Sequence, residues 1–147
     1  MSFDDLPDDW KSRPLTDPRL AADVVDLFVR DDDRRAGAVA VLVCDDEHRL
    51  LQPVVVTMDA DPVPLVDKQL VVERFTELVG HGLGSSLILA VARPRGAFLT
   101  DGDREWHEVA IRGCREAGID LLGLFVVTRH TVREVVDPAD TRQRRPA

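Results

Sequence analysis

The segment AVAVLVC, from Ala38 to Cys44, constrains the fold more than any other part of the sequence. It is apolar throughout, rich in β-branched residues, and bounded by a glycine and an aspartate. A strand without alternating polar positions is typical of a sheet that is covered on both faces. The segments SSLILAVA (85–92) and LLGLFVVT (121–128) have the same character. We therefore expect three buried strands, with helices packed on both sides of the sheet.

A first helix is predicted to begin at Asp17, because aspartate is a favoured N-cap and Pro18 fits the first helical position. Apolar residues follow at helical spacing and give this helix one apolar face; they are Leu20, Val24, Leu27 and Phe28. The run DDDRR at 31–35 comes next. Charge runs of this kind are usually solvated, so we expect a loop there.

Two further helices are predicted between the strands. The segment 66–79 carries apolar residues at helical spacing and ends at glycines, the first of which is Gly80. The other helix is predicted to start at Thr100 or the residue after it. Thr100 followed by Asp103 resembles a capping box, with aspartate in place of the usual glutamate. This helix is predicted to run to about residue 117, where Gly118 provides a natural C-terminal cap.

Two further strands complete the predicted sheet. Residues 50–57 (LLQPVVVT) follow the first buried strand after a short turn, so the two are expected to form a hairpin. Pro53 cannot donate to a ladder, which places this strand near an edge or at a bulge. Residues 131–136 are expected to form a short last strand. Because hairpins alternate with helical crossovers, we predict an α/β fold with a mixed sheet of about five to six strands and three helices packed on it.

Length and local composition limit the class of protein. A chain of 147 residues has the size of one ordinary domain, and no apolar run approaches the roughly 20 residues that span a bilayer. The acidic N-terminus shows no signal-peptide pattern, which predicts a soluble cytoplasmic protein with no membrane partner. We expect an acidic arm at 1–13, one domain at 14–137 and a basic tail at 138–147.

The charge balance bears on possible partners. Twenty-seven acidic residues against 19 basic ones give a formal charge of −8. This charge repels phosphate backbones, so nucleic acid is not an expected partner. The oppositely charged arm and tail leave self-association open. The abundance of arginine, alanine, valine and aspartate is typical of a GC-rich bacterial genome. Cys44 and Cys114 are too few for a disulfide framework, and we expect both to be reduced and buried.

Three short motifs carry a resemblance to a known family: RPRG at 93–96, TDGD at 100–103 and AGIDLLGLFVVT at 117–128. They occur within the predicted order of helix, hairpin, helix, strand, capped helix and terminal strand pair. In this order and in these motifs, residues 14–136 resemble the RadC-type branch of the JAB/MPN metalloprotease-like domains. The resemblance implies the layered sheet that these domains share with cytidine deaminases.

The resemblance also implies that the family's zinc chemistry is missing. Active members hold zinc through two histidines of a His-x-His-Pro-Ser-Gly motif and a downstream aspartate, and a glutamate near the first strand activates the zinc-bound water. In this chain the histidine positions fall at Val91 and Arg93, the glutamate position falls near Ala36 or Gly37, and only the aspartate is retained, as Asp103. One carboxylate cannot hold a catalytic zinc, which needs about three protein ligands. The resemblance thus implies a pseudoenzyme without metal or cofactor, which binds an unknown protein partner.

The loop before the capped helix predicts a different function. Arginines near a helix N-terminus favour the binding of carboxylate or phosphate. The alternative to a scaffold is therefore a sensor or enzyme for small anionic ligands. Its candidate residues are Arg93, Arg95, Thr100, Asp103 and His107. The sequence leaves a simpler interpretation open, in which Asp103 caps the helix and the arginines pair with nearby aspartates.

Overall fold

The computed structural model describes residues 6–58, 63–96 and 98–136. The strands in this part of the chain are β1 (Ala38–Cys44), β2 (Leu50–Thr57), β3 (Ser86–Ala92), β4 (Asp120–Val127) and β5 (Val132–Glu134). The α-helices in the same ranges are α1 (Pro18–Phe28), α2 (Asp31–Ala36), α3 (Leu65–Leu78) and α4 (Asp101–Ala117). A 3₁₀ turn at Trp10–Ser12 precedes α1, and a π-helical turn at Val79–Leu83 continues α3.

The strands form one mixed sheet in the order β2-β1-β3-β4-β5. β1 is antiparallel to both of its neighbours, β3 and β4 are parallel, and β5 is antiparallel to β4. A parallel pair needs a crossover connection, which α4 provides. The predicted α/β fold with a mixed sheet is therefore confirmed. The edge position of the proline-containing strand is also confirmed, because β2 is the outermost strand and Pro53 lies opposite Leu42.

Helices cover both faces of the sheet, which explains why the sequence of β1 has no polar position. Every residue of β1 is buried. Alternate residues of this strand belong to two core clusters. On one face Ala38 and Leu42 pack in a cluster with α1, and on the other Val39 and Val43 pack in a cluster with α3 and α4. The result is a three-layer arrangement of helix, sheet and helices.

The predicted loop at 31–35 is wrong, because these residues form most of the helix α2. Three aspartates occupy its first turn and two arginines its last, and this order is favoured by the helix dipole at both ends. The Asp33 carboxylate also accepts a hydrogen bond from the Arg30 N–H at 3.1 Å. Arg34 is buried rather than solvated, and its guanidinium binds the Asp26 carboxylate at 2.8 Å. The run of charges therefore does not predict exposure at every position, since one of its arginines points inward.

The predicted helix ends are confirmed where short polar side chains or glycine define them. Asp17 caps α1 by accepting a hydrogen bond from the Arg19 N–H at 3.0 Å. Thr100 and Asp103 form a reciprocal capping box at the start of α4, and Gly118 ends that helix with a φ of 70°. α3 has no side-chain cap and begins one residue earlier than predicted. β5 is shorter than predicted.

The residues before α1 contact the core. The rings of Trp10 and Phe28 meet edge-on, with their centroids 6.1 Å apart. Leu6 packs against the same core cluster. The part of the predicted N-terminal arm that the structure describes is thus attached to the domain through apolar side chains. The basic tail predicted at 138–147 lies outside the described residues. Within the described ranges, no helix has both the length and the apolar character needed to cross a bilayer.

Candidate functional site

A cavity of about 260 Å³ lies at the edge of the sheet where β1 begins and β3 ends. These two places are adjacent because the strands are antiparallel, with Ala38 opposite Ala92. The first turns of α3 and α4 complete the wall, and much of the lining is apolar, as at Met58 and Trp106. The charged residues of the lining are Arg35, Lys68, Arg93 and Asp103. A largely apolar cavity with a few convergent polar groups is the usual form of a small-molecule site.

The positions at which the resemblance places catalytic groups all line this cavity. Ala36 and Gly37, before β1, belong to its lining, and so does Val91 in β3. Arg93, just after β3, and Asp103, in the first turn of α4, also line it. The start of β1 and the segment from the end of β3 to the start of α4 therefore converge on one place in the fold.

An ion pair between Arg93 and Asp103 forms the charged part of the cavity wall. Nη1 of Arg93 lies 2.5 Å from Oδ1 of Asp103, and Nη2 lies 2.9 Å from Oδ2. Asp103 is only 2% exposed. Two parallel N–H···O bonds between a guanidinium and a carboxylate are among the strong hydrogen-bond arrangements of proteins. The negative charge of Asp103 is therefore balanced by a cation within the wall itself.

Arg93 also holds the loop between β3 and α4. Its Nε and Nη2 donate to the carbonyl of Gly96 at 3.1 and 2.7 Å, and Nη2 donates to the carbonyl of Phe98 at 3.1 Å. Gly96 has a φ of +92°, which glycine adopts without steric cost. The guanidinium of Arg93 therefore donates to carbonyl groups of its own loop, and these hydrogen bonds hold the loop around this side chain.

Asp103 has a further role in the capping box of α4. Its Oδ2 accepts a hydrogen bond from the Thr100 N–H at 2.8 Å, and the Thr100 hydroxyl accepts one from the Asp103 N–H at 3.2 Å. A catalytic zinc needs about three donors such as imidazole, thiolate or carboxylate. Of the described residues that line this cavity, Asp103 alone is such a donor, and Arg93 adds a positive charge beside it. The described lining therefore does not fit a zinc ion, and the described ranges contain no group of three or more His, Cys, Asp or Glu residues that could hold a metal.

Lys68 is a cavity residue that the sequence reasoning missed. It is 3% exposed, and its Nζ donates to Oε1 of Glu105 at 2.8 Å and to the carbonyl of Gly102 at 3.1 Å. The same atom lies 5.7 Å from the centre of the Trp106 ring. The sequence did hold a signal, because Lys68 precedes the buried Val72 by four residues and so lies on the same face of α3. A cation on that face must find its partners inside the fold.

The predicted ligand-binding residues are brought together only in part. Thr100 lines the cavity beside Arg93. Arg95 is exposed in the loop, and His107 lines a different cavity, of about 680 Å³, together with Cys114. Because the Arg93 guanidinium is already bound by a carboxylate and two carbonyls, anion binding by this loop stays a prediction.

Both cysteines are free and buried, and their burial agrees with the prediction. Burial raises the pKa of the Cys114 thiol to about 11. Burial, with a smaller contribution from the Asp45 carboxylate, raises the pKa of the Cys44 thiol to about 12. The thiolate is the nucleophilic form of cysteine. At neutral pH both side chains are therefore protonated core residues.

Comparison with known proteins assigns no family to the chain. Neither a scan against protein-family models nor a search of curated proteins found a match. The fold and the cavity define only a general class, an α/β domain with a five-stranded mixed sheet, whose cavity wall contains an ion pair between Arg93 and the buried Asp103.

Proposed function

We propose that this chain is a non-catalytic relative of the RadC-type JAB/MPN domains and serves as a protein-interaction or scaffold module. One observation carries the proposal: the Arg93–Asp103 ion pair lies in the cavity on which Ala36, Gly37 and Val91 also converge. The resemblance places the metal ligands and the catalytic glutamate of active members at these positions. In this chain an arginine, rather than a metal ion, balances the charge of the retained aspartate.

The arrangement of the elements supports the same proposal. The chain contains a leading helix, a hairpin, a helix, a strand, a capped helix and a terminal strand pair, in the order on which the resemblance rests. Two of the three motifs, RPRG and TDGD, also contribute residues to the cavity that Ala36 and Gly37 line.

Exposed apolar side chains support the binding of a protein partner. Phe98, in the loop that Arg93 holds, is 82% exposed, and Val66, in the first turn of α3, is 71% exposed. Lys68, in the same turn as Val66, donates to Gly102 at the start of α4. The first turn of α3, which carries Val66, is therefore joined to the start of α4, which follows the loop that carries Phe98. We propose that these apolar side chains belong to one protein–protein interface, since contiguous exposed apolar surface commonly marks such a site.

The absence of zinc chemistry is tested on the full chain after any metal-binding affinity tag has been removed. The protein is incubated with excess zinc and desalted, and its zinc content is measured by mass spectrometry beside assays of peptide and isopeptide hydrolysis. We expect far less than one zinc per chain and no hydrolysis, because the described lining of the cavity offers one carboxylate beside a guanidinium. One zinc per wild-type chain that is lost in D103N, together with hydrolysis, would contradict the proposal.

The interaction role is tested by capture from a nuclease-treated lysate of the source cells with immobilised wild type, F98D and R95A. The wild type should retain a discrete set of proteins. F98D should lose it, because a buried interface disfavours an unpaired charge. R95A changes the same exposed loop without removing apolar surface, so it should retain the set. Equal capture by F98D and the wild type would count against an interface at this loop.

A further inference from the structure

β2, one of the two edge strands of the sheet, carries no charged residue. Its sequence, LLQPVVVT, has eight positions in a chain of which 31% is charged. Leu51 is 53% exposed, Val56 is 42% exposed and Val55 is 37% exposed. Because neighbouring side chains of a strand point to opposite faces, this edge presents apolar groups on both faces of the sheet. Soluble proteins usually protect an edge strand with charges, short length, bulges or proline.

The hydrogen bonds of the hairpin show which backbone groups of β2 are directed outward. The Met58 N–H donates to the Gly37 carbonyl at 3.0 Å, in register with the rest of the β1–β2 pair. In an antiparallel pair, residues with bonds to the partner strand alternate with residues that have none. Counting back from Met58, the residues Pro53, Val55 and Thr57 direct their backbone groups away from β1. No strand among the described residues pairs with that side of β2.

Pro53 protects only part of this edge. It has no N–H at a position where the donor would point outward, so it cannot donate to a further strand. Val55 and Thr57 each present both an N–H and a carbonyl on the same side. The half of β2 that follows Pro53 is therefore open to pairing.

We propose that β2 pairs antiparallel with β2 of a second copy of the chain, which joins the two five-stranded sheets into one sheet of ten strands. A two-fold axis matches the outward N–H and carbonyl groups of one β2 with the same groups of the other, so the edge is complementary to itself. The net charge of −8 opposes the approach of two copies. This repulsion is smallest across a surface without charges, which favours β2 as the contact.

One register satisfies the outward donors of both strands. With Val55 opposite Val55 of the second copy, each Val55 N–H meets the other Val55 carbonyl, and each Thr57 N–H meets the carbonyl of Pro53 across the axis. The same register places Val54 of each copy beside Val56 of the other. Cross-strand pairs of β-branched residues stabilise a sheet.

Charge variants of Val55 test this pairing by sedimentation velocity. V55K and V55E each place two like charges at the two-fold axis, and both should be monomers at concentrations at which the wild type is a dimer. An equimolar mixture of the two should restore a dimer that contains one chain of each kind, because lysine then faces glutamate. Misfolding of either variant cannot produce this restoration.

L70K is the matched control, because Leu70 is an exposed apolar residue on α3 rather than on the sheet edge; it should remain a dimer. A wild type that sediments as a monomer up to submillimolar concentration would overturn the proposal. So would a dimeric V55K, a monomeric L70K, or a mixture of V55K and V55E that stays monomeric. The pairing does not depend on the proposed function, since none of these outcomes changes the zinc content of the cavity.

Discussion

Two arginine–aspartate pairs of this molecule, each with one buried partner, differ in their surroundings. Arg34 pairs with Asp26 and connects α2 to α1, whereas Arg93 pairs with Asp103 and connects the end of β3 to the start of α4. In both pairs the guanidinium also donates to backbone carbonyls. The second pair lines the cavity at the sheet edge. The comparison shows that a charged pair beside a cavity can have the same structural role as one that lies within the packed fold.

The two arginines also differ in how far along the chain their partners lie. Arg34 donates to the carbonyl of Val29 at 3.0 Å and to that of Thr128 at 3.2 Å, so it connects the end of α1 to the turn after β4. The bonds of Arg93 stay within one short stretch of chain, from Gly96 to Asp103. Loss of Arg34 should therefore disturb the packing of distant elements, and loss of Arg93 should disturb one loop.

Arg34→Ala should have the largest effect on stability. The change removes the cation beside the Asp26 carboxylate and the donors to the carbonyls of Val29 and Thr128. Breaking a buried ion pair from one side costs about 3 to 5 kcal/mol, which is the expected loss in the free energy of unfolding. Denaturant unfolding measures it. The control is Arg35→Ala, the next residue on α2, which is exposed and should change stability by no more than about 0.5 kcal/mol. Equal losses of stability in both variants would contradict a structural role for Arg34.

Arg93→Ala should have a smaller effect. Asp103 keeps its hydrogen bond from the Thr100 N–H, and the loop that loses its donor is short. Hydrogen bonds to charged groups contribute about 1.5 to 3 kcal/mol, so we expect a loss of roughly 2 kcal/mol in the free energy of unfolding. Arg95→Ala, in the same loop, should leave the unfolding midpoint unchanged. A midpoint that is also unchanged in Arg93→Ala would contradict the account of the loop.

A double-mutant cycle of Arg93→Ala and Asp103→Ala separates the pair from the other roles of each residue. Residues in direct contact usually show coupling energies of about 0.5 to 3 kcal/mol. We expect a coupling of about 1 to 2 kcal/mol, so that the double variant loses less than the sum of the single losses. Additive losses in denaturant unfolding would mean that the two side chains do not stabilise each other.

A third pair, Arg49–Asp45, lies in the turn between β1 and β2 and is more exposed, so its effect should be the smallest. The pKa of Asp45 lies below its ordinary value, chiefly because the carboxylate accepts the backbone N–H of Arg49. A lowered pKa means that the ionised group adds stability above the ordinary aspartate pKa, and that this stability is lost as the pH falls through the lowered value.

Unfolding measured from neutral pH to about pH 3 separates the two residues of this turn. Asp45→Asn should remove the contribution of this carboxylate to the pH dependence. Arg49→Ala keeps the backbone N–H and should leave most of that contribution in place. If Asp45→Asn retains the full pH dependence of the wild type, other carboxylates are responsible for it.

The elements that the sequence predicted well depend on neighbouring residues. The cap at Asp17 involves a residue two positions away, and the capping box of Thr100 and Asp103 involves residues three positions apart. The buried strands were predictable for a similar reason, since the covering of both faces requires an uninterrupted apolar run. Such features follow from local chemistry, and the sequence displays them directly.

The features that the sequence did not predict depend on remote partners. Arg34 reaches the carbonyl of a residue 94 positions later, and Lys68 reaches a carboxylate 37 positions later. A local pattern of charges contains no information about either contact. DDDRR therefore predicts a solvated loop, and the position of Lys68 on α3 does not identify its partner. At the candidate site the sequence left two aspartates, Asp101 and Asp103, open as partners of the loop arginines, and in the fold Arg93 pairs with Asp103.

The most direct test of the central claim places histidines at the two positions where the resemblance has them. Val91 and Arg93 occupy alternate positions of one extended segment and line the cavity with Asp103. The variant V91H/R93H therefore places two imidazoles beside a carboxylate that has been freed from its guanidinium. Zinc titration calorimetry compares it with V91A/R93A and with the wild type. The account predicts one zinc per chain for V91H/R93H and none for the other two. A folded V91H/R93H chain that binds no more zinc than V91A/R93A would contradict the claim that this cavity is a metal site whose cation has been replaced by arginine.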